Sequence, residues 1–325
     1  MQTISEDTQA VLLLCGVFSG APAGEEAPLG PSEFHRLARW LEKESATPAS
    51  LLDTLDSARV AEGIAEHQIA AERIERLLKR GMTVAVATER WLQMGLWILS
   101  VADDAFPARL KKKLRDKVMP LLFGIGDPGL LDGGGLAVVG SRKADEAAQE
   151  FARKAGELCA RNGMPVISGA ARGIDMAAMQ GALDAGGAAV GVLGSDLARQ
   201  AVSPETRVYL QAGNLTLVTP FSPEAPFHAG NAMARNKYIY ALADRGLVVS
   251  SEAETGGTWS GATENLKQQW TPLWVRRDAN APRGNELLIR RGARALETSW
   301  LSKDASFQDL FRDDGDSGEL TLFDE

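Results

Sequence analysis

The sequence is poor in the residues that build metal centres and covalent frameworks. Its two cysteines, Cys15 and Cys159, stand far apart, so neither a disulfide framework nor a thiolate metal site is expected. Three histidines occur (His35, His67 and His228) and none pairs at ligand spacing, so no structural zinc and no cofactor are expected. No apolar run approaches the roughly 20 residues of a membrane span. No basic stretch precedes an apolar one at the N-terminus, so neither a membrane partner nor a secretory leader is expected and the cytoplasm is the default. The G-x-G-x-x-G and G-x-x-x-x-G-K-[ST] fingerprints are missing too, which disfavours a dinucleotide site and a P-loop nucleotidase.

What is present begins with a real core. Apolar residues make up 45% of the 325 positions, which excludes a disordered chain and allows one large domain with a smaller one. The net charge of −8 seems unfavourable to a nucleic-acid partner, but it is unevenly placed. From Asp304 to Glu325 eight acids stand against one base, Arg312, and the remainder is close to neutral. A near-neutral body can carry a local basic patch of the kind phosphate binding needs. The acidic segment reads as a solvated tail.

Three regions follow. Residues 1–80 read as a small helical domain: Ser5 caps an apolar helix through Cys15, Pro31-Ser32 opens a second, Thr47-Pro48 a third through Leu55, and Ile69 to Leu78 a fourth. That domain shows no chemistry and reads as a packing or contact module. Residues 81–300 form the main domain. It is entered through predicted strands at Gly81–Val86 and Leu96–Ser100, a basic helix Ala108–Leu114, and the apolar run Leu121–Gly126. From Leu136 strands are predicted at 136–139, 165–168, 188–193, 215–219, 246–250 and 272–275, and helices at 145–161, 174–185, 231–243, 259–269 and 284–291. Continuously apolar strands alternating with helices imply an α/β fold, a doubly wound, mostly parallel Rossmann-like sheet covered on both faces. Its ligand belongs at the carboxyl ends of the strands. Residues 301–325 are the acidic tail.

Four small-residue turns fall at those strand ends. Gly140-Ser141-Arg142 closes the first, and Ser168-Gly169 with Ala171-Arg172-Gly173-Ile174-Asp175 closes the second, Asp175 being placed to hold Arg172. Arg235, Asn236 and Lys237 form a third element, in which Arg235 and Lys237 diverge by about 200° on a helix and cannot share a face. Gly256, Gly257 and Thr258 open the helix after the strand at 246–250, and Trp259 beside them either stacks a base or packs. Small residues there let backbone N–H groups and helix N-termini face a phosphate. Four such turns on one sheet edge argue for a phosphate-bearing ligand.

In this order LAVVGSR, VISGAARGID, AVGVLGSDL, MARNKYIYALAD and ETGGTWSGA resemble the DNA-processing protein A family (DprA, also called Smf) over roughly 95–275. The resemblance implies an extended Rossmann fold, often dimeric, that binds and protects single-stranded DNA, takes part in DNA processing and recombination, and serves the bacterial recombinase without catalysis. It maps the family's pocket onto Ser141, Arg142, Ser168, Gly169, Arg172, Gly173, Arg235 and Asn236. The family's R-N-R is Arg235-Asn236-Lys237 here, which keeps the charge and loses the last bidentate fork. Only some thirty polar and acidic residues follow Ala295, so the winged helix of many members is not expected, and a specialised relative in a mobile or defence locus is one reading. Within the tail, Leu320, Leu322 and Phe323 resemble peptides that dock on the bacterial sliding clamp, and Gln308-Asp309-Leu310-Phe311 is a weaker version.

An alternative is a nucleotide-binding or nucleoside-monophosphate phosphoribohydrolase-like member of the same superfamily. Met233, Arg235 and Lys237, then Gly256-Gly257-Thr258 and Glu264, look similar to those enzymes' motifs, with Glu264 or Glu252 to polarise a ribose. The proline of that motif is missing and Glu264 lies too far beyond Thr258, which ranks this reading second.

Overall fold

In a computed structural model, residues 4–18, 26–52 and 69–297 are described. Nine strands run through them: β1 (Trp97–Ser100), β2 (Leu121–Ile125), β3 (Leu136–Gly140), β4 (Val166–Ser168), β5 (Ala189–Val192), β6 (Leu215–Thr219), β7 (Arg245–Ser250), β8 (Leu273–Arg277) and β9 (Arg294–Glu297). They make one sheet in the order β1-β2-β6-β5-β4-β3-β7-β8-β9. The strands from β6 to β9 pair in parallel, while β1 with β2 and β2 with β6 are antiparallel.

Both faces of the sheet are apolar, and the two-residue period of a strand shows why. Leu136 and Val138 point into one buried cluster with Phe151, Ala155, Ala178 and Ala182. Ala137 and Val139 point into the other with Tyr238, Ile239, Leu242 and Trp259. Helices Glu146–Arg161 and Ile174–Asp184 therefore cover one face, and Asn236–Leu242 and Gly256–Gln268 cover the other. This is the doubly wound arrangement expected from the unbroken apolar strands.

The topology decides where a ligand fits. From β3 the chain steps outward to β4, β5 and β6, then returns to lay β7 on the other side of β3. The winding reverses between β3 and β7, and their carboxyl ends part there to leave a crevice. A register shift between Val139 and Gly140 interrupts the regular pairing at that end.

The N-terminal helices Glu6–Cys15, Pro31–Lys43 and Ala71–Leu78 agree with the sequence pattern. Gly81–Val86 does not: it opens a helix, Gly81–Gln93, rather than a strand. Val84, Ala87, Thr88 and Trp91 are its buried residues, the one-sided i, i+3, i+4, i+7 spacing of a helix. Trp91 stacks on Phe18 and meets Phe123 edge-on, so these helices share the buried cluster of Leu136 and Val138. The expected helix 231–243 divides into Ala229–Ala234 and Asn236–Leu242 at Arg235. Helices Leu197–Ala201 and Pro204–Ala212 and strand β9 were not foreseen. Leu55, the acidic tail 301–325, its Leu320, Leu322 and Phe323, and Gln308 to Phe311 lie outside the described residues. Among those described, no helix is long and apolar enough to cross a membrane.

Candidate nucleic-acid interface

A crevice of about 500 Å³ opens at the switch point. Three segments wall it: Val139 to Lys143 after β3, Ala229 to Asn236 with Phe227 ahead of them, and Thr255 to Ser260 after β7. Ser141 N–H donates to Ser250 O at 2.9 Å and ties the first wall to the third.

The floor is made by Asp175, Arg235 and Tyr240. Arg235 ends the helix Ala229–Ala234 with its side chain turned inward and only 6% exposed. Its Nη2 donates to Gly169 O at 2.8 Å, and its Nη1 to Asn236 Oδ1 at 3.0 Å. Asn236 Nδ2 donates in turn to Gly257 O at 2.9 Å, so one polar chain joins the turns after β4 and β7. Arg235 Nη2 lies 4.0 Å from Asp175 Oδ2, and Asp175 Oδ1 accepts from Gly140 N–H at 3.3 Å. Asp175 thus faces Arg235 rather than Arg172, because the second residue of the helix Ile174–Asp184 points under the crevice while Arg172 stays exposed before it. Burial raises the Asp175 carboxyl above the ordinary range, opposed by the Arg235 charge and by the N–H groups of Ala171, Gly140 and Gly169. Burial also lowers the Arg235 guanidinium, opposed by Asp175.

Two polar atoms on this floor lack a partner. Arg235 Nε and Tyr240 OH are buried and make no hydrogen bond among the described residues. A buried unpaired donor costs about 1–3 kcal/mol, so two of them at the bottom of an open crevice point to a ligand that accepts hydrogen bonds.

The rim is cationic and rich in backbone N–H groups. Arg142 and Lys143 are exposed on the β3 turn. Opposite them Thr255, Gly256, Gly257 and Thr258 begin the helix Gly256–Gln268, and Thr255 forms no side-chain cap bond over its first turn. That leaves the N–H groups and positive end of the helix facing the crevice. Ala170 and Glu254, in the turns after β4 and β7, have φ of +50° and +58°. Non-glycine residues in that region store about 1–3 kcal/mol each, and such strain collects at binding sites.

Of the residues singled out in the sequence, Gly140, Ser141, Arg142, Arg235, Asn236, Gly256, Gly257 and Thr258 line the crevice. Ser168, Gly169 and Gly173 support it from behind. Ser168 is fully buried and its Oγ donates to Val138 O at 2.5 Å. Gly169 makes room for the Arg235 guanidinium, 1.9 Å from where a Cβ would stand. Gly173, at φ +85°, lets Ser141 O approach to 2.5 Å of its missing Cβ. Arg172 is exposed and does not line the crevice. Lys237 faces away, as the helical angle requires: its Nζ donates to Lys117 O at 2.6 Å, and burial lowers its pKa against the pull of Glu264. Glu264 accordingly lies outside the crevice while Glu252 lines it, so the acids sought for ribose chemistry are separated. Trp259 packs, 7% exposed, under Arg291 at 4.8 Å. Tyr240 and Phe227 joined the site without being picked out for it, although Tyr240 stands inside the MARNKYIYALAD motif, and Asp175 had been picked out only as a partner for Arg172.

The family model for DNA recombination-mediator protein A matches residues 97–303. Among curated relatives, protein Smf of Escherichia coli (strain K12) is 30% identical over 227 residues, 68% of this chain and 56% of that protein. DNA processing protein DprA of Streptococcus pneumoniae (strain ATCC BAA-255 / R6) is 33% identical over 163 residues, 49% of this chain and 55% of that protein. The chain spans about half the length of the curated relatives it matches. In structure, DprA of Streptococcus pneumoniae superposes with a TM-score of 0.69 at 21% identity, covering 90% of this chain and 95% of that one. DNA processing protein A of Helicobacter pylori, described for its single-stranded DNA binding mode, gives 0.50 at 24% identity over 62% of this chain and 90% of that one. Both likenesses are of the fold.

Proposed function

The chain belongs to the DNA recombination-mediator protein A family, and on that premise we propose that it binds single-stranded DNA in the crevice between β3 and β7. The observation that carries this reading is the buried Arg235 with its unpaired Nε on the crevice floor, beneath a rim of Arg142, Lys143 and an uncapped helix N-terminus. A phosphodiester supplies what that arrangement lacks: negative charge for the rim and acceptor oxygens for the N–H groups. The donors that line the crevice suit backbone contact more than base reading, so affinity comes chiefly from phosphates and falls steeply with salt.

Asp175 and Asn236 position Arg235, the first by charge and the second by its bridge to Gly257. A role in cytoplasmic DNA processing and recombination, service to the recombinase, and a homodimer follow from the family resemblance and belong to the same proposal. The test is a fluorescence-anisotropy titration of labelled oligo-dT at low and high salt. Salt-sensitive binding that weakens in Arg142→Ala is the expected result. No binding at low salt overturns the reading.

A further inference from the structure

Charge of opposite sign collects at two places in this chain, and the strand order puts them near each other. Between Asp304 and Glu325 eight acids stand against Arg312 alone. The rim of the crevice carries the other sign. Arg142 and Lys143 are exposed there, and neither has a carboxylate partner among the described residues. The uncapped first turn of the helix Gly256–Gln268 adds its N–H groups. Two carboxylates line the same crevice, Glu252 and the Asp175 that already faces Arg235.

β3, β7, β8 and β9 are consecutive in the sheet and parallel, so their carboxyl ends share one edge. The crevice opens between β3 and β7, and β9 ends at Glu297 on that same edge. At about 4.8 Å per strand, the step from β9 to the crevice is roughly 12 Å. Six residues, 298–303, separate Glu297 from the first acid of the segment. Extended, that length of chain spans up to about 20 Å, so the acids begin within reach of the rim. The basic helix Ala108–Leu114 is less well placed. Its Lys113 Nζ donates to Ala243 O and Thr271 Oγ1, at the amino ends of β7 and β8 and so at the opposite edge.

The match extends beyond charge. Phe227 is 60% and Met233 48% exposed along the crevice wall. Leu310-Phe311 and Leu322-Phe323 stand among the acids. The segment therefore offers carboxylates to Arg142 and Lys143 and apolar side chains to Phe227 and Met233.

We propose that the acidic segment Asp304–Glu325 binds the crevice and competes there with single-stranded DNA, a competition that rests on the DNA-binding reading above. Its carboxylates take the positions of phosphates on the rim. Because the segment is tethered close by, it meets the crevice at an effective concentration in the millimolar range. At that concentration, a contact with a dissociation constant of about 0.1 mM weakens DNA binding about tenfold. The contact is ionic, so salt weakens the competitor as well as the DNA.

The experiment compares the full wild-type chain with a full-length variant in which the eight acids of 304–325 become their amides, Asp→Asn and Glu→Gln. Labelled oligo-dT is titrated into each at low and high salt. The amide variant is expected to bind about tenfold more tightly at low salt, with the gap closing at high salt. A synthetic peptide of residues 304–325, added to the amide variant, is expected to displace oligo-dT, and a labelled copy of it to bind less tightly once Arg142→Ala is also present. Equal affinities of the two proteins at low salt overturn the proposal. So does a peptide that fails to displace oligo-dT, because the segment then acts only by repelling DNA at a distance. No oligo-dT binding by either protein overturns the DNA-binding reading itself, and the labelled peptide, titrated alone, still decides whether the crevice takes the acidic segment.

Discussion

Arg235 and Asp175 face each other beneath the crevice with both side chains 7% exposed and 4.0 Å between Nη2 and Oδ2. Both charges are largely buried, so each leans on the other, and Asp175 leans also on the N–H groups of Ala171, Gly140 and Gly169. Removing one partner of a buried pair leaves the second uncompensated, at a cost of about 3–5 kcal/mol. Asp175→Ala also strands the Gly140 N–H that the carboxylate accepts. Chemical denaturation should show Asp175→Ala destabilised on that scale. Arg39→Ala, which breaks the exposed pair with Asp116, should cost less than about 1 kcal/mol. Similar losses in the two variants would mean that the Arg235–Asp175 contact is not a buried ion pair.

Two glycines near that pair differ in how binding and folding are linked. A Cβ at Gly169 falls 1.9 Å from Arg235 Nη1, the far end of a side chain that borders open crevice. Gly169→Ala should displace the guanidinium from Asp175 and from Gly169 O, so that DNA binding and Tm fall together. Gly173 is different, since its φ is +85° and its Cβ would meet Ser141 O, which is backbone. Gly173→Ala should cost about 1–3 kcal/mol of stability through strain alone. Thermal melts and oligo-dT titrations on both variants check the contrast, and an unchanged oligo-dT affinity in Gly169→Ala would mean that Gly169 serves only the fold.

Arg142 is exposed, lines the crevice and has no carboxylate partner in any ion pair among the described residues. If it neutralises one phosphate, its loss lowers the slope of log K against log salt by about 0.7 for a single strand. Arg142→Ala should therefore bind less tightly at low salt and show a shallower salt dependence. Arg290→Ala supplies the control, because Arg290 ends the helix Arg283–Arg290 and pairs with Glu286. An unchanged slope in Arg142→Ala would place the phosphate elsewhere on the rim.

Much of this was legible in the chain because parallel strands buried on both faces leave an unbroken apolar signature. Leu136–Gly140, Val166–Ser168 and Leu215–Thr219 each show it, and each ends in a polar or small residue at the point where a turn is needed. β9 escaped notice because Arg294 and Glu297 give it charged ends at the sheet edge. The helix Pro204–Ala212 buries no residue and so had no apolar face to reveal it. Gly81–Val86 misled because Thr83, Val84 and Val86 favour strands over a short window, and only the later Ala87, Thr88 and Trp91 disclose the helical face. At the site, the turns were visible as small residues, but the contact of Asp175 with Arg235 joins positions sixty residues apart that local spacing cannot relate. Phe227 is one of two phenylalanines in a proline-containing loop, and only the fold brings it over Arg142.

Lys113 gives a test that does not depend on DNA. It lies on the basic helix Ala108–Leu114, where its Nζ donates to Ala243 O at 2.6 Å and to Thr271 Oγ at 3.0 Å. Burial, with the Arg109 charge adding to it, lowers its pKa from 10.5 to about 8, while Asp244 opposes the shift. Between those two values the native protein has released a proton that the unfolded chain still holds. Stability rises with pH wherever the unfolded state binds more protons. The Lys113 contribution is therefore greatest above the unfolded pKa and is lost as pH falls through about 8. The Tm of the wild type minus that of Lys113→Met should increase as pH is raised from about 8 toward 10. A difference that stays flat across that interval would mean the ammonium remains charged against the Ala243 carbonyl, held there by Asp244 and by the two acceptors it already has.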